Sequence, residues 1–176
     1  MNATAPVTLR APTPADIPAL SALGIASFVH KFGSLYRPED LLPFLAQTHS
    51  EAALARELAN PANRYQLALR EGLPIGWAKL SLTCGFPQHA RGTKPAELKQ
   101  LYTAPNASRA GIGAALMDWA MNEAAAHAAD ELQLSVWSQN EDAQRFYARY
   151  GFTKQADVHF RVGQQLDHEF LFARML

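Results

Sequence analysis

The sequence predicts one α/β (α+β) domain, a central sheet of mixed strand direction with helices packed on it. Three observations predict it. The chain has 176 residues, enough for one well-filled core and short for two. Hydrophobic residues make up 48% of it, which places it with globular chains and not with disordered ones. Runs of period two and runs of helical period follow one another in the order strand, helices, strands, helix, strand, helix, strands.

Taken in chain order, "VTLRAPT" (7–13) is a short strand closed by prolines. Residues 13–32 follow as a helix, with Thr13 as its cap, Pro14 in the first turn and Asp16 nearby. Its apolar positions Ile17, Leu20, Leu23, Ala26 and Val29 share one stripe. "PEDLLPFLAQTHSEAALARELANP" predicts one or two further helices, Pro38 opening the first and Ser50 capping again before Glu51. In "RYQLALREGLPIGWAKLSL" two alternating segments flank Glu71-Gly72, a hairpin signal. The Gly- and Pro-rich stretch 83–95 is a loop, and "AELKQLYTAP" (96–105) is a strand stopped by Pro105. A helix then opens at a glycine turn, "ELQLSVW" (131–137) alternates as a strand, and "SQNEDAQRFYARYGF" is a short helix ending at Gly151. "TKQADVHFRV" and "DHEFLFARML" close the chain as strands. There is no internal repeat and no low-complexity linker.

Composition narrows the function classes. Sixteen basic residues balance 16 acidic ones, so the basic excess that bulk nucleic-acid binding calls for is absent. The single cysteine, Cys84, has no partner for an internal disulfide, and this fits a reducing, cytoplasmic setting. The first residues show no charged leader before an apolar run, and no apolar stretch approaches the ~20 residues of a membrane span. The six histidines, at 30, 49, 89, 127, 159 and 168, have no metal-ligand spacing with each other or with Cys84, so no metal is expected.

The chemistry-bearing stretch is "NASRAGIGAALMDWA" (106–120), where Gly111 and Gly113 stand at a helix start. A helix N-terminus has unpaired N–H groups and a partial positive charge, and glycines let a bulky phosphate approach that backbone. Taken alone the turn is structural more often than ligand-binding. A phosphate loop of the Gly-Lys-Ser/Thr kind fails here, because Ala114 and Ala115 follow Gly113. A dinucleotide fingerprint fails because Leu116 stands where its third glycine belongs.

Two linked motifs support a different reading. After a strand comes Arg109-Ala110-Gly111-Ile112-Gly113-Ala114 opening a helix, then a strand, then Asn140, Ala143, Phe146, Tyr147 and Gly151-Phe152. This order resembles the GNAT superfamily of acetyl-CoA-dependent N-acetyltransferases, which carry Gln/Arg-x-x-Gly-x-Gly/Ala and then Asn-x-x-Ala-x-x-Phe-Tyr and Gly-Phe. The chain departs from it at Ser108, with the arginine one residue later. "GWAKL", "ELKQLYTAP" and "HFRVGQQLDHEFLFARML" further resemble the PaiA-type spermidine/spermine acetyltransferase branch, so the likeness spans nearly the whole chain.

The resemblance implies a GNAT fold over 1–176 and acetyl-CoA as co-substrate, with its diphosphate on the backbone amides from Arg109 to Ala114. It implies transfer of the acetyl group to the primary amine of a small molecule, a polyamine among the candidates, by direct attack in a ternary complex. A protein or peptide amine, and a non-catalytic acetyl-CoA-binding module, are the alternatives. The protein would work as a monomer or homodimer, without nucleic acid or membrane. Tyr147 would give a proton to the departing sulfur, since a phenol of pKa about 10 is protonated at neutral pH; as the aromatic beside it, Phe146 is left to packing. Glu97 would take a proton from the amine, or be an ordinary solvated strand residue. The Leu101 N–H would meet the thioester carbonyl at a β-bulge, and the backbone of Tyr102 and Thr103 would pair with the pantetheine arm as an added strand. Asn140 would contact pantetheine, cap a helix, or do both. His159 is expected to make a strand-end hydrogen bond, and "RPED" (37–40) with Glu51 lies in the segment that walls the amine site in the superfamily.

Overall fold

The computed structural model describes residues 5–107 and 111–176. Seven strands form one sheet in the order β1-β2-β3-β4-β5-β7-β6. The chain runs β1 (Val7–Arg10), α1 (Ile17–Phe32), α2 (Pro38–Thr48), α3 (Glu51–Ala59), β2 (Asn63–Arg70), β3 (Leu73–Ser81), β4 (Pro95–Thr103), α4 (Ile112–Ala126), β5 (Glu131–Trp137), α5 (Glu141–Arg149), β6 (Thr153–Val162) and β7 (Gln165–Met175). All neighbouring pairs are antiparallel except β4 with β5, which the α4 crossover makes parallel.

Local chemistry sets the element ends. The β2–β3 turn uses Glu71 and Gly72 at φ 51° and 77°, the paired left-handed conformation of a tight hairpin. Ser50 accepts from the Ala53 N–H and separates α3 from α2. Asp16 binds both the N–H and the hydroxyl of Thr13, so a short 3₁₀ turn over Pro14–Asp16 precedes α1. Gly151 ends α5 with φ 81°.

Strand alternation divides the core between the two faces of the sheet. Ala68, Ala78 and Leu80 point to α4, where Ile112, Leu116, Met117 and Ala120 are buried. Leu67, Leu69 and Trp77 point the other way, to Leu20 of α1 and Leu54 of α3. A third cluster joins Phe28, Tyr36 and Leu45 to Val162 of β6.

The first helix follows its expected stripe at Ile17, Leu20 and Leu23, which pack on the Trp77 cluster, and leaves it in its second half. Ala26 and Val29 are exposed, while Ser21, Gly24, Ser27 and Phe28 are buried. Small residues face the sheet because the approach is close: a Cβ on Gly24 would lie 2.9 Å from both His49 Cδ2 and Trp77 Cζ2. Beneath it, His49 sits between Thr48 and Tyr102. The Thr48 hydroxyl donates to the Phe44 carbonyl at 2.7 Å, so it accepts from His49 Nδ1–H at 2.6 Å and leaves Nε2 to accept from the Tyr102 hydroxyl at 3.0 Å. Burial holds the imidazole neutral, its pKa lowered to about 4.

Candidate active site

The parallel pair β4–β5 is short. It is in register only at Pro95–Glu131, Ala96–Leu132 and Glu97–Gln133. On its other side β4 carries a bulge: Lys79 opposes Gln100 and Leu80 opposes Leu98, so Lys99 is the extra residue. A bulge bends its strand and sharpens its twist, and beyond it β4 and β5 part. A cavity of about 750 Å³ opens in the fork, lined by residues of β4, β5, α1, α5, β7 and the start of α4.

The closed end of the fork is saturated with hydrogen bonds. Glu131 accepts from the N–H groups of Arg91 and Gly92, both at 2.6 Å, and from the Gln133 amide at 3.2 Å. Asp130 accepts from the Thr93 N–H and hydroxyl and from the Lys94 N–H. The Cys84 thiol donates to Gln133 Oε1 at 2.7 Å. Glu97 belongs to this end. It is buried, accepts from the Gly85 N–H at 2.6 Å, pairs with Lys99 at 2.7 Å, and is not among the residues lining the cavity. Glu97, the expected base, is thus paired on both sides and tied to the 83–95 loop, as a buried carboxylate must be.

The open end gathers most of the other expected residues. The Ala104 N–H donates to the Ile75 carbonyl at 2.8 Å, and an antiparallel ladder alternates. The backbone of Tyr102 therefore pairs with Trp77 of β3, while those of Leu101 and Thr103 turn away from β3. Ser27 confirms the direction by donating its hydroxyl to the Thr103 carbonyl at 2.8 Å. Free backbone in the fork thus comes from Leu101 and from the Thr103 N–H, the Thr103 carbonyl being taken by Ser27. Tyr102, expected to share in it, is engaged by β3 and by His49, and its phenol is pushed upward by burial.

Gly111, Ile112, Gly113 and Ala114 line the cavity; Arg109 and Ala110 lie outside the described residues. Gly111 takes φ 75° just before α4, a conformation that favours glycine. The first bond of the helix runs from the Ala115 N–H to the Gly111 carbonyl, so the N–H groups of Ile112, Gly113 and Ala114 have no partner inside α4. A Cβ on Gly113 would meet nothing nearer than Phe146 at 3.7 Å, so the fold itself has room for a side chain there.

Asn140 lines the cavity and also caps α5, its side-chain oxygen accepting from the Ala143 N–H at 3.3 Å. Tyr147 and Phe146 both line the cavity, so Phe146 is not confined to packing; the space wraps around α5 widely enough to meet two adjacent positions. Among the described residues nothing hydrogen-bonds the Tyr147 hydroxyl. Burial pushes its pKa up to about 12, so it is protonated at neutral pH.

Two acidic residues that the sequence reading passed over line the cavity from β7, Asp167 and Glu169. Asp167 is buried and takes hydrogen bonds from Tyr36 and, at 2.7 Å, from Gln165. Burial raises the pKa of Glu169, the Ser135 hydrogen bond opposes the rise, and the charges of Asp167 and Glu97 add to it. The acids expected to wall an amine site lie elsewhere: Asp40 pairs with Arg37 and accepts from the Gln164 N–H, and Glu51 is exposed in the first turn of α3. His159 is not at a strand end; it lies beside its cross-strand neighbour His168, ring centroids 5.8 Å apart and planes tilted by 40°. Among the described residues no three His, Cys, Asp or Glu side chains group as metal ligands, and no helix is long and apolar enough to cross a membrane.

A model of the acetyltransferase (GNAT) family matches residues 30–152. An uncharacterised N-acetyltransferase of Mycobacterium tuberculosis is 30% identical over 162 residues, 92% of this chain and 98% of its own length. The aminoalkylphosphonate N-acetyltransferase of Salmonella typhimurium is 36% identical over 112 residues, 64% of this chain and 69% of its own. Among solved structures, the PaiA N-acetyltransferase of Thermoplasma acidophilum, in complex with coenzyme A, superposes with a TM-score of 0.79 at 20% identity, over 97% of this chain and 99% of that one. That last likeness is one of fold.

Proposed function

The chain belongs to the acetyltransferase (GNAT) family, and on that premise we propose that it transfers the acetyl group of acetyl-CoA to the primary amine of a small molecule by direct attack in a ternary complex. The observation that carries the reading is the fork: one cavity joins the N-terminus of α4, the outward Leu101 backbone and the Tyr147 phenol. Each meets one demand of the reaction. The unpaired amides of Ile112, Gly113 and Ala114 suit a diphosphate, and the absent side chain at Gly113 leaves a large group room to come close. The Leu101 N–H suits the thioester oxygen as negative charge develops on it. Leu101 and Thr103 present a strand edge on which an extended pantetheine arm can pair. Tyr147 donates to the sulfur as it leaves, through a phenol that keeps its proton at neutral pH.

The acceptor side favours an amine that carries positive charge. Asp167 and Glu169 bring two carboxylates to the cavity wall, and Phe28, Phe32 and Phe160 bring aromatic faces. A polyamine fits this wall. An aminoalkylphosphonate, which the Salmonella relative is named for, would instead bring an anion to the two acids. Glu97 is assigned to the scaffold.

The test is free-thiol release from acetyl-CoA across spermidine, spermine, small monoamines, aminoalkylphosphonates, amino acids and short peptides. Release with the polyamines is the expected result. Release with peptides alone would move the acceptor to protein amines. Acetyl-CoA binding with silence throughout would leave the non-catalytic module.

A further inference from the structure

β7 places Asp167, Glu169, Leu171 and Ala173 on one face by its period of two. Leu171 and Ala173 are fully buried, so this is the covered face of the strand, and two carboxylates stand at its head. They are not equivalent. Asp167 has both oxygens engaged, one by the Tyr36 phenol and one by the Gln165 amide. Glu169 lies opposite Trp137 of β5, beside Ser135, on the wall of the fork cavity. Among the described residues no Lys, Arg or His pairs with it. A half-buried carboxylate without a cation is costly to keep in a cavity, and the fold gives Glu169 only the Ser135 hydrogen bond.

We infer that Glu169 takes the proton from the acceptor's ammonium, with Asp167 behind it as a fixed negative charge that holds the acceptor as a cation. The inference deepens the proposed acetyl transfer and rests on it. An alkylamine of pKa about 10.4 enters largely as R–NH3⁺ at neutral pH and cannot attack. Its N–H bond breaks as an O–H bond forms on Glu169. The freed lone pair then forms the C–N bond at the thioester carbon, and the C–S bond breaks with its electron pair on sulfur. Tyr147 gives the sulfur a proton, and the second proton lost by the amine nitrogen restores the phenol. One proton per turnover then leaves Glu169 for solvent. A carboxyl whose pKa is raised is a better base than an ordinary one, and Glu169 is raised by burial and by the charge of Asp167.

The other titratable groups lining this cavity are His30 and Lys31 from α1, Tyr36 from the turn after α1, Lys99 and Tyr102 from β4, and Asp142, Tyr147 and Arg149 from α5. Glu97 acts on Glu169 from outside the wall. None of these is both a free carboxylate and seated beside the acceptor wall: Lys99 is paired to Glu97, and Asp142 to Arg145 at the solvent surface.

The experiment compares the wild type and Glu169→Gln by thiol release with the acceptor the wild type uses best, over roughly pH 6 to 10, beside thermal melts and acetyl-CoA titrations of both proteins. The expected loss in kcat/KM at neutral pH is about 10²-fold or more. The wild-type profile should flatten above an acid limb, whereas Glu169→Gln should climb steadily towards the pKa of the acceptor amine, because only amine already neutral in solution can react. Its Tm should be unchanged or higher and its acetyl-CoA affinity unchanged, because the substitution removes a charge that burial opposes. A loss accompanied by a lower Tm and weaker acetyl-CoA binding overturns the inference in favour of a structural role. Wild-type turnover with an indifferent Glu169→Gln overturns the inference alone. Silence of the wild type with every acceptor overturns the transferase reading and this inference with it.

Discussion

The two ends of the β4–β5 fork are built from the same kinds of residue and treat them in opposite ways. At the closed end, Glu97, Asp130 and Glu131 each accept two or more hydrogen bonds or ion pairs, chiefly from backbone N–H groups of the 83–95 loop. At the open end, the Tyr147 hydroxyl has no partner among the described residues and Glu169 has no cation. A polar group on a cavity wall without a protein partner is open to one from a ligand. The comparison teaches that carboxylate position on a strand does not by itself identify a base. On the proposed function, the saturated carboxylates serve as scaffold, whereas the Tyr147 phenol and Glu169 face the substrate.

The largest effect that would sharpen this contrast is expected from Glu131→Ala. It orphans the N–H groups of Arg91 and Gly92 and the Gln133 amide, and should cost about 3 kcal/mol in urea unfolding. Acetyl transfer per folded molecule should survive. If activity instead vanished in protein that is still folded, the closed end would not be mere scaffold.

Acid should strain the helical layer next. The folded pKa of His49 is depressed to about 4 from an ordinary 6.5, so the unfolded chain takes up the proton first as pH falls. Stability present above the unfolded value is lost progressively towards pH 4, by about 2 kcal/mol between pH 7 and pH 5. Denaturant midpoints at the two pH values measure it, and His49→Gln should flatten the slope. In the same layer Gly24→Ala should cost about 1–3 kcal/mol, since its Cβ would press on buried aromatic rings; thermal melts on the single variant would show whether α1 can retreat instead.

The smallest effect is expected from Glu97→Gln. The glutamine oxygen can still accept from Gly85, so the loss is the Lys99 pair, about 1 kcal/mol. Turnover should stay within about threefold, far short of the ~10² that removing a general base produces. A fall of that larger size, with Tm intact, would return Glu97 to the catalytic machinery and break the contrast between the two ends.

Most of the fold was legible because its signals are local. Glu71-Gly72 names its own turn, Ser50 its own cap, and the alternation of Leu132, Leu134 and Val136 its own strand. The second half of the α1 stripe was misread because apolar periodicity assumes that large side chains face inward. There, Ser21, Gly24 and Ser27 face inward so that the backbone can come close, and no apolar count registers that.

The glycine turn and the Asn140 to Phe152 run were legible as motifs. Glu169 was not, because it belongs to no motif. A signal did exist: Asp167 and Glu169 head the same period-two stripe as Leu171 and Ala173, and acids on a buried stripe are anomalous. Whether a strand acid is braced or bare depends on contacts such as Gly85 with Glu97, twelve residues apart in sequence, and those become readable only once the chain is folded.

In the proposed reaction the open end of the fork binds acetyl-CoA and Tyr147 serves the departing sulfur there. The most direct test is Tyr147→Phe, with acetyl-CoA affinity by calorimetry and turnover by thiol release on the same preparation. Affinity and Tm should be nearly unchanged while kcat falls at least several-fold, towards ~10². An unchanged kcat, or a loss explained wholly by weaker acetyl-CoA binding, would contradict that role.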